Sequence, residues 1–224
     1  MVSATRTFLS KSGIASLQNP VPSTRTRYSA RFAFTVLALL GVSQLTTYGL
    51  LAFIIGPYSF SSIAPQIVMV ANAGASAAGF LGAYLVERLS RRFFSLFSYL
   101  GGLVTVTFVL AAVEVVSSNI LVFFVFLFLN MIFSELGWAV RVVLEPELAT
   151  GTNLRSTFIA LVRVVAWGFY ITSIYLTSSL STFGFVELNV LLWGLGAIAA
   201  FAWFMRGVET KQQSLEAITG ESYA

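Results

Sequence analysis

The sequence contains no cysteine, no histidine and no aspartate, and only 10% of its 224 residues are charged. Without cysteine there are no disulfides and no thiolate chemistry; without histidine, the commonest metal ligand and general base is missing. All nine acidic residues are glutamates, and no serine has an evident base beside it, so neither a soluble nor an intramembrane hydrolase is expected. The inventory implies no enzymatic activity, no metal and no cofactor.

What the chain does have is hydrocarbon. It is 57% hydrophobic with a mean hydropathy of +0.86, whereas a soluble domain is roughly 25% charged. The expected fold class is therefore all-α, an integral membrane bundle. A net charge of +4 would suggest nucleic acid in a soluble protein. Here the basic residues set topology, so the expected partner is the lipid bilayer and not nucleic acid.

Six apolar segments, approximately 32–56, 63–86, 93–116, 120–144, 156–180 and 184–205, each approach the ~20 residues that cross ~30 Å of hydrocarbon. Between the second and third lies Glu87-Arg88-Leu89-Ser90-Arg91-Arg92, which packs three arginines and one glutamate into six residues. So tight a cluster cannot lie in hydrocarbon. None of the 13 Lys and Arg falls in the gaps after spans one, three and five. Five precede span one, Arg206 and Lys211 follow span six, and the rest cluster around the second and fourth gaps. Short basic loops stay cytoplasmic, so both termini are expected on that side of a multi-pass protein, with the plasma membrane as the expected location. The chain divides into a basic segment 1–31, a membrane domain 32–205 and a cytoplasmic tail 206–224. Segment 1–31 is acid-free and rich in Ser, Thr and Arg, which fits a cytoplasmic linker or an organellar presequence. The six spans fit one bundle or two inverted three-helix repeats.

Polar residues inside the spans are the functional candidates. In span four, Asn130, Ser134, Trp138, Arg141 and Glu145 share a stripe at helical spacing, with Glu135 beside it at mid-span. Glu135 is either functional or buried against a partner such as Arg163. Arg141 and Glu145 lie nearer the cytoplasmic end and are expected to snorkel. In span five, Arg163 lies about 12 Å past Arg155 at 1.5 Å per residue and should face protein or water, with Glu135 or Glu145 as partner. Trp167 and Tyr170 share its face. Span one carries Gln44, Thr47 and Tyr48 on one face. Span two has small residues every fourth position, which favours close helix packing, and Asn72 and Ser76 one turn apart. Glu114 and Glu187 are expected at the outer interface.

Three stretches resemble one known family. Leu85-Val86-Glu87-Arg88-Leu89-Ser90-Arg91-Arg92 resembles the loop between the eighth and ninth helices of the major facilitator superfamily, where sugar porters read Val-Asp/Glu-Arg-x-Gly-Arg-Arg. Pro146-Glu147-Leu148 with Gly151-Thr152-Asn153-Leu154-Arg155-Ser156-Thr157 is similar to their segment after the tenth helix. Glu209-Thr210-Lys211 with Ser214-Leu215-Glu216 is similar to their C-terminal Pro-Glu-Thr-Lys motif. Ser90 stands where the family has glycine. The resemblance spans about residues 28–220 and matches the C-terminal six-helix half, which implies a 3+3 inverted repeat. It further implies a half-size secondary transporter that moves a small polar solute, a sugar or organic metabolite, by alternating access. Such a half needs an N-terminal half or a second copy of itself as partner. Substrate contacts would come from Gln44, Tyr48, Asn72, Asn130, Trp138 and Trp167, with Glu135 and Arg163 carrying any proton coupling. Glu87, Arg88, Arg92, Glu147 and Arg155 would form a cytoplasmic gate, with Glu87 facing Arg155 and Arg88 facing Glu147. The alternative is a membrane protein that keeps this fold without transporting, as a remnant or an assembly partner.

Overall fold

The computed structural model of the chain describes residues 29–55, 57, 61–111, 115, 118–149, 154–177 and 181–213. Segment 1–28, motif residues 151–153 and 214–216, and Glu114 lie outside them. The described residues form six long helices: α1 (Ala30–Leu50), α2 (Ala64–Arg88), α3 (Arg91–Ala111), α4 (Ile120–Leu148), α5 (Arg155–Leu176) and α6 (Thr182–Arg206). A π-turn at Leu51–Ile55 extends α1, and a 3-10 turn at Ser61–Ile63 leads into α2. All six are long and apolar enough to cross a membrane, which makes this an all-α, multi-pass membrane protein.

Side chains at the helix starts explain where several of them begin. Ser29, Asn119 and Ser181 each accept hydrogen bonds from the first turns of α1, α4 and α6, satisfying N–H groups that a helix leaves open. Proline in the first turn of α2 gives up a donor that has no intrahelical partner there. Ser90 accepts from Phe93 N at 3.2 Å, so it opens α3 by capping it. Helix α4 runs to Leu148, past the expected end at 144. Pro146 lies in its last turn and forgoes one backbone bond only, so Glu145 and Glu147 stay helical.

Two central helices organise the bundle. α1 packs on α5 and α6, α4 packs on α2 and α3, α1 meets α4, and α3 meets α6. Exchanging α1 with α4, α2 with α5 and α3 with α6 leaves this set of major contacts unchanged. Successive spans alternate direction, so helices three apart run oppositely, and the symmetry is that of an inverted repeat. α1 is the most buried span, and α2 and α5 are the least.

Association of helices in lipid rests on close packing, and glycine provides it at the rear of the bundle. Gly102 of α3 lies against the Trp193 ring of α6, and Gly196 of α6 against Tyr99 and Ser43. Tyr99, fully buried, donates to the Leu40 carbonyl of α1 at 2.8 Å and meets Trp193 edge to face. On α2 the small-residue stripe divides. Ala71, Gly74, Ala78 and Gly82 are buried, with Gly74 and Gly82 facing α4, whereas Gly79 faces open space.

A Cβ at Gly74 would lie 2.7 Å from the Phe128 carbonyl oxygen and 3.0 Å from Met131 Cβ. Gly74→Ala should therefore cost about 1–3 kcal/mol of stability, read as a lower melting temperature of the solubilised protein. At Gly79 a Cβ meets nothing within 4 Å, so Gly79→Ala should melt like the parent. Equal melting of the two variants would contradict the close α2–α4 contact.

Candidate functional site

Buried ionic groups are costly unless they are paired and hydrogen-bonded, so the charges in the described spans are the first place to look. Glu145 on α4 is fully buried and Arg141, one turn earlier, is only 2% exposed. Snorkelling was the expectation for both. Instead, Arg141 Nη1 donates to Glu145 Oε1 at 3.0 Å, and its guanidinium lies over the Trp138 ring at 4.6 Å. The other oxygen, Oε2, accepts from Arg163 of α5, through Nη2 at 2.9 Å and Nε at 3.0 Å. Two guanidiniums thus share one carboxylate. The reason lies across the interface at Gly41 of α1, where a Cβ would come within 2.9 Å of Arg141 Nη1. That space lets Arg141 fold inward. Of the two partners expected for Arg163, Glu145 is the one found. The Arg163 side chain is nevertheless 47% exposed.

The matching junction between α1 and α2 carries a second polar bridge. Tyr48 donates to Asn72 Oδ1 at 3.4 Å, and Asn72 Nδ2 donates to the Val68 carbonyl at 2.9 Å. Asn72 lies eight residues into α2 from Ala64, and Arg163 lies eight residues into α5 from Arg155. The inverted repeat therefore places one polar bridge at each equivalent junction.

Between the bridges, Gln44 of α1 is buried and its amide nitrogen reaches Ser134 Oγ of α4 at 3.5 Å, while its Oε1 has no hydrogen-bond partner among the described residues. Glu135 is half-buried, without a hydrogen bond or ion pair to a described residue, and lies within electrostatic reach of Tyr48, as does Tyr170. Trp167, 48% exposed, meets Tyr170 edge to face. Gln44, Tyr48, Asn72, Glu135, Trp138, Arg163 and Trp167 thus sit on the four helices α1, α2, α4 and α5. Asn130 turns the other way: it is fully buried and donates to Thr105 Oγ1 at 2.9 Å and the Gly102 carbonyl at 3.2 Å, both on α3. Sequence periodicity groups it with Ser134 because it fixes a stripe but not which neighbour each residue meets.

A second charge cluster lies where α2, α4 and α6 end and α3 begins. The expected pairing of Glu87 with Arg155 and Arg88 with Glu147 is replaced by another. Arg91 Nη2 binds Glu147 Oε1 at 3.4 Å, and Thr210 donates to Glu147 Oε2 at 2.5 Å. Glu209 accepts from the backbone N–H of Arg91 and Arg92 at 2.9 and 3.4 Å, which sets a carboxylate on the positive end of α3. Lys211 donates to the Arg88 carbonyl at 2.8 Å. Arg92 bonds the Phe204 carbonyl. Arg88 lies over the Tyr84 ring at 4.2 Å, and among the described residues exposed Glu87 has no hydrogen bond or ion pair and buried Arg155 Nε and Nη2 have no hydrogen-bond partner. Only Leu89 and Ser90 separate α2 from α3, so Arg91, not Arg88, is the residue carried beneath the end of α4. Sequence reasoning missed Arg91, Glu209, Thr210 and Lys211 as members of this cluster, although the tail motif that holds three of them was visible.

A protein-family model described as sugar (and other) transporter matches residues 10–221. No curated protein and no solved structure matches the chain.

Arg91→Ala or Glu147→Ala should lower stability by about 1.5–3 kcal/mol, the range of a hydrogen bond to a charged group. The double exchange Arg91→Glu with Glu147→Arg should recover much of the loss. Glu87→Ala should stay within about 0.5 kcal/mol of the parent. Thermal melts check all of these, and a Glu87 effect as large as that of Glu147 would contradict the observed pairing.

Proposed function

The chain belongs to the sugar (and other) transporter family, and on that premise we propose that its six helices form one half of a secondary solute transporter of the major facilitator superfamily, working by alternating access. One observation supports this above the others. Arg163 is half exposed about 12 Å into α5 from Arg155. A guanidinium exposed to lipid at that depth would be expensive, so the side it faces is filled by water or protein. The same side carries Tyr48, Asn72, Glu135, Trp138 and Trp167 on α1, α2, α4 and α5, a polar and aromatic wall suited to a small polar solute.

One wall does not enclose a solute. The facing wall comes from an N-terminal half or a second copy, packed on the little-buried helices α2 and α5. The termini lie in the cytoplasm of a plasma-membrane protein, since Arg88, Arg91, Arg92, Arg206 and Lys211 gather at one end of the bundle. There, Arg91, Glu147, Glu209 and Thr210 tie the α2–α3 turn, the end of α4 and the tail together. Arg92 and Arg88 add contacts to that latch, which holds one conformation and must open for the helices to rock. Glu135 couples transport to protons in this reading, being a half-buried carboxylate at mid-span with no ion pair to a described residue.

Purified chain in proteoliposomes should take up labelled hexose or hexonate, faster under an inward proton gradient. Glu135→Gln should abolish that acceleration while leaving solute counterflow. Acceleration unchanged in Glu135→Gln would remove Glu135 from coupling. No uptake under any gradient would favour a fold kept without transport.

A further inference from the structure

The arginine–glutamate–arginine cluster is unbalanced. Arg141 and Glu145 are buried and neutralise one another, and Arg163 shares the same carboxylate, leaving one positive charge in the cluster. The way that charge is held matters more than the count. A guanidinium presents five N–H donors along fixed edges. Glu145 Oε2 occupies the Nε and Nη2 side of Arg163, while the side chain as a whole is 47% exposed. The edge formed by Nη1 and the second Nη2 hydrogen meets no hydrogen-bond partner among the described residues. Such a fork matches the two oxygens of a carboxylate or phosphate.

We infer that the solute is an organic oxyanion, bound by the open edge of Arg163, with Glu145 and Arg141 as positioning residues. This rests on the transporter reading above. Bound there, a monoanion brings the cluster to neutrality without displacing Glu145. Glu135, ten residues before Glu145 on α4, lies about 15 Å away along the helix, so its charge is not against the bound oxyanion. Trp138, beneath Arg141, and Trp167, one turn beyond Arg163, offer apolar faces beside the site. A neutral sugar could use the tryptophans and amides but would leave the guanidinium edge unmatched.

The test compares three hexose-sized probes, D-glucose, D-gluconate and D-glucose 6-phosphate, on the full chain in lipid nanodiscs. Binding is read by tryptophan fluorescence and uptake in proteoliposomes. One of the two anions should bind roughly tenfold to a hundredfold more tightly than glucose. The carboxylate and phosphate arms tell which oxyanion is preferred. Arg163→Gln should erase that preference, bringing anion binding down to the level of glucose. Arg163→Lys keeps the charge but not the fork, and should lose most of the preference, which decides the matter if the glutamine variant does not fold. Glu145→Gln raises the local charge and should tighten anion binding. Glucose binding as well as either anion, or an anion preference that survives Arg163→Gln and Arg163→Lys, overturns the inference, and glucose uptake in that case leaves the transporter reading standing. Absence of binding and uptake for all three probes overturns both.

Discussion

A carboxylate buried among helices and claimed by two guanidiniums constrains the rest of this bundle. Glu145 gives one oxygen to Arg141 on its own helix and the other to Arg163 on α5. Helices α4 and α5 touch little elsewhere, and α5 otherwise rests on α1. The ion cluster therefore sets where α5 stands relative to α4. Gly41 leaves the room for it, because any side chain there would press on Arg141. Removing either arginine would leave a buried or half-buried charge underpaired, a change that costs about 3–5 kcal/mol for a fully buried pair.

The bundle has two unlike sides. Its rear, where α3 and α6 meet, is close-packed glycine against aromatic rings, sealed by the Tyr99 hydroxyl on the Leu40 carbonyl. On the other side α2 and α5 flank the central pair α1 and α4, and there Tyr48, Asn72, Glu135 and Arg163 stand among exposed apolar side chains such as Phe80, Val164 and Ile171. The inverted repeat relates the two polar bridges, Tyr48–Asn72 and Glu145–Arg163, through equal offsets into α2 and α5. One bridge is a neutral hydrogen bond and the other an ion cluster, so the symmetry of the fold carries an asymmetry of charge.

Much of this was legible in the residues. Hydropathy alone located six spans, and the basic turn at Glu87–Arg92 together with two further motifs indicated the family that the match over residues 10–221 shows. Periodicity leaves the repeat open, because it lives in helix contacts rather than in matching residues, and in the sequence it is implied by the family resemblance alone. Hydropathy ends α4 at 144, too early, because Glu145, Pro146 and Glu147 look like a loop; a proline in a last turn and two well-bonded carboxylates let the helix continue. The same error made Arg141 and Glu145 look like interfacial charges. Pairing within the basic cluster depends on a two-residue turn between α2 and α3, and no spacing rule tells which of four neighbouring charged side chains such a turn will carry under α4. Asn130 shows the remaining limit: periodicity puts it beside Ser134, but one faces α3 and the other α1.

In the proposed transporter the α2–α5 side of the bundle borders water or a partner's polar wall, and the α3 surface borders lipid. Because the chain has no cysteine, single cysteines at Ser76 on α2, Gly168 on α5 and Phe108 on α3 can be compared without background. A charged, membrane-impermeant thiol reagent applied to the protein in sealed vesicles, from each side in turn, should modify Ser76→Cys and Gly168→Cys and spare Phe108→Cys. Modification of all three at equal rates, or of Phe108→Cys alone, would contradict the account.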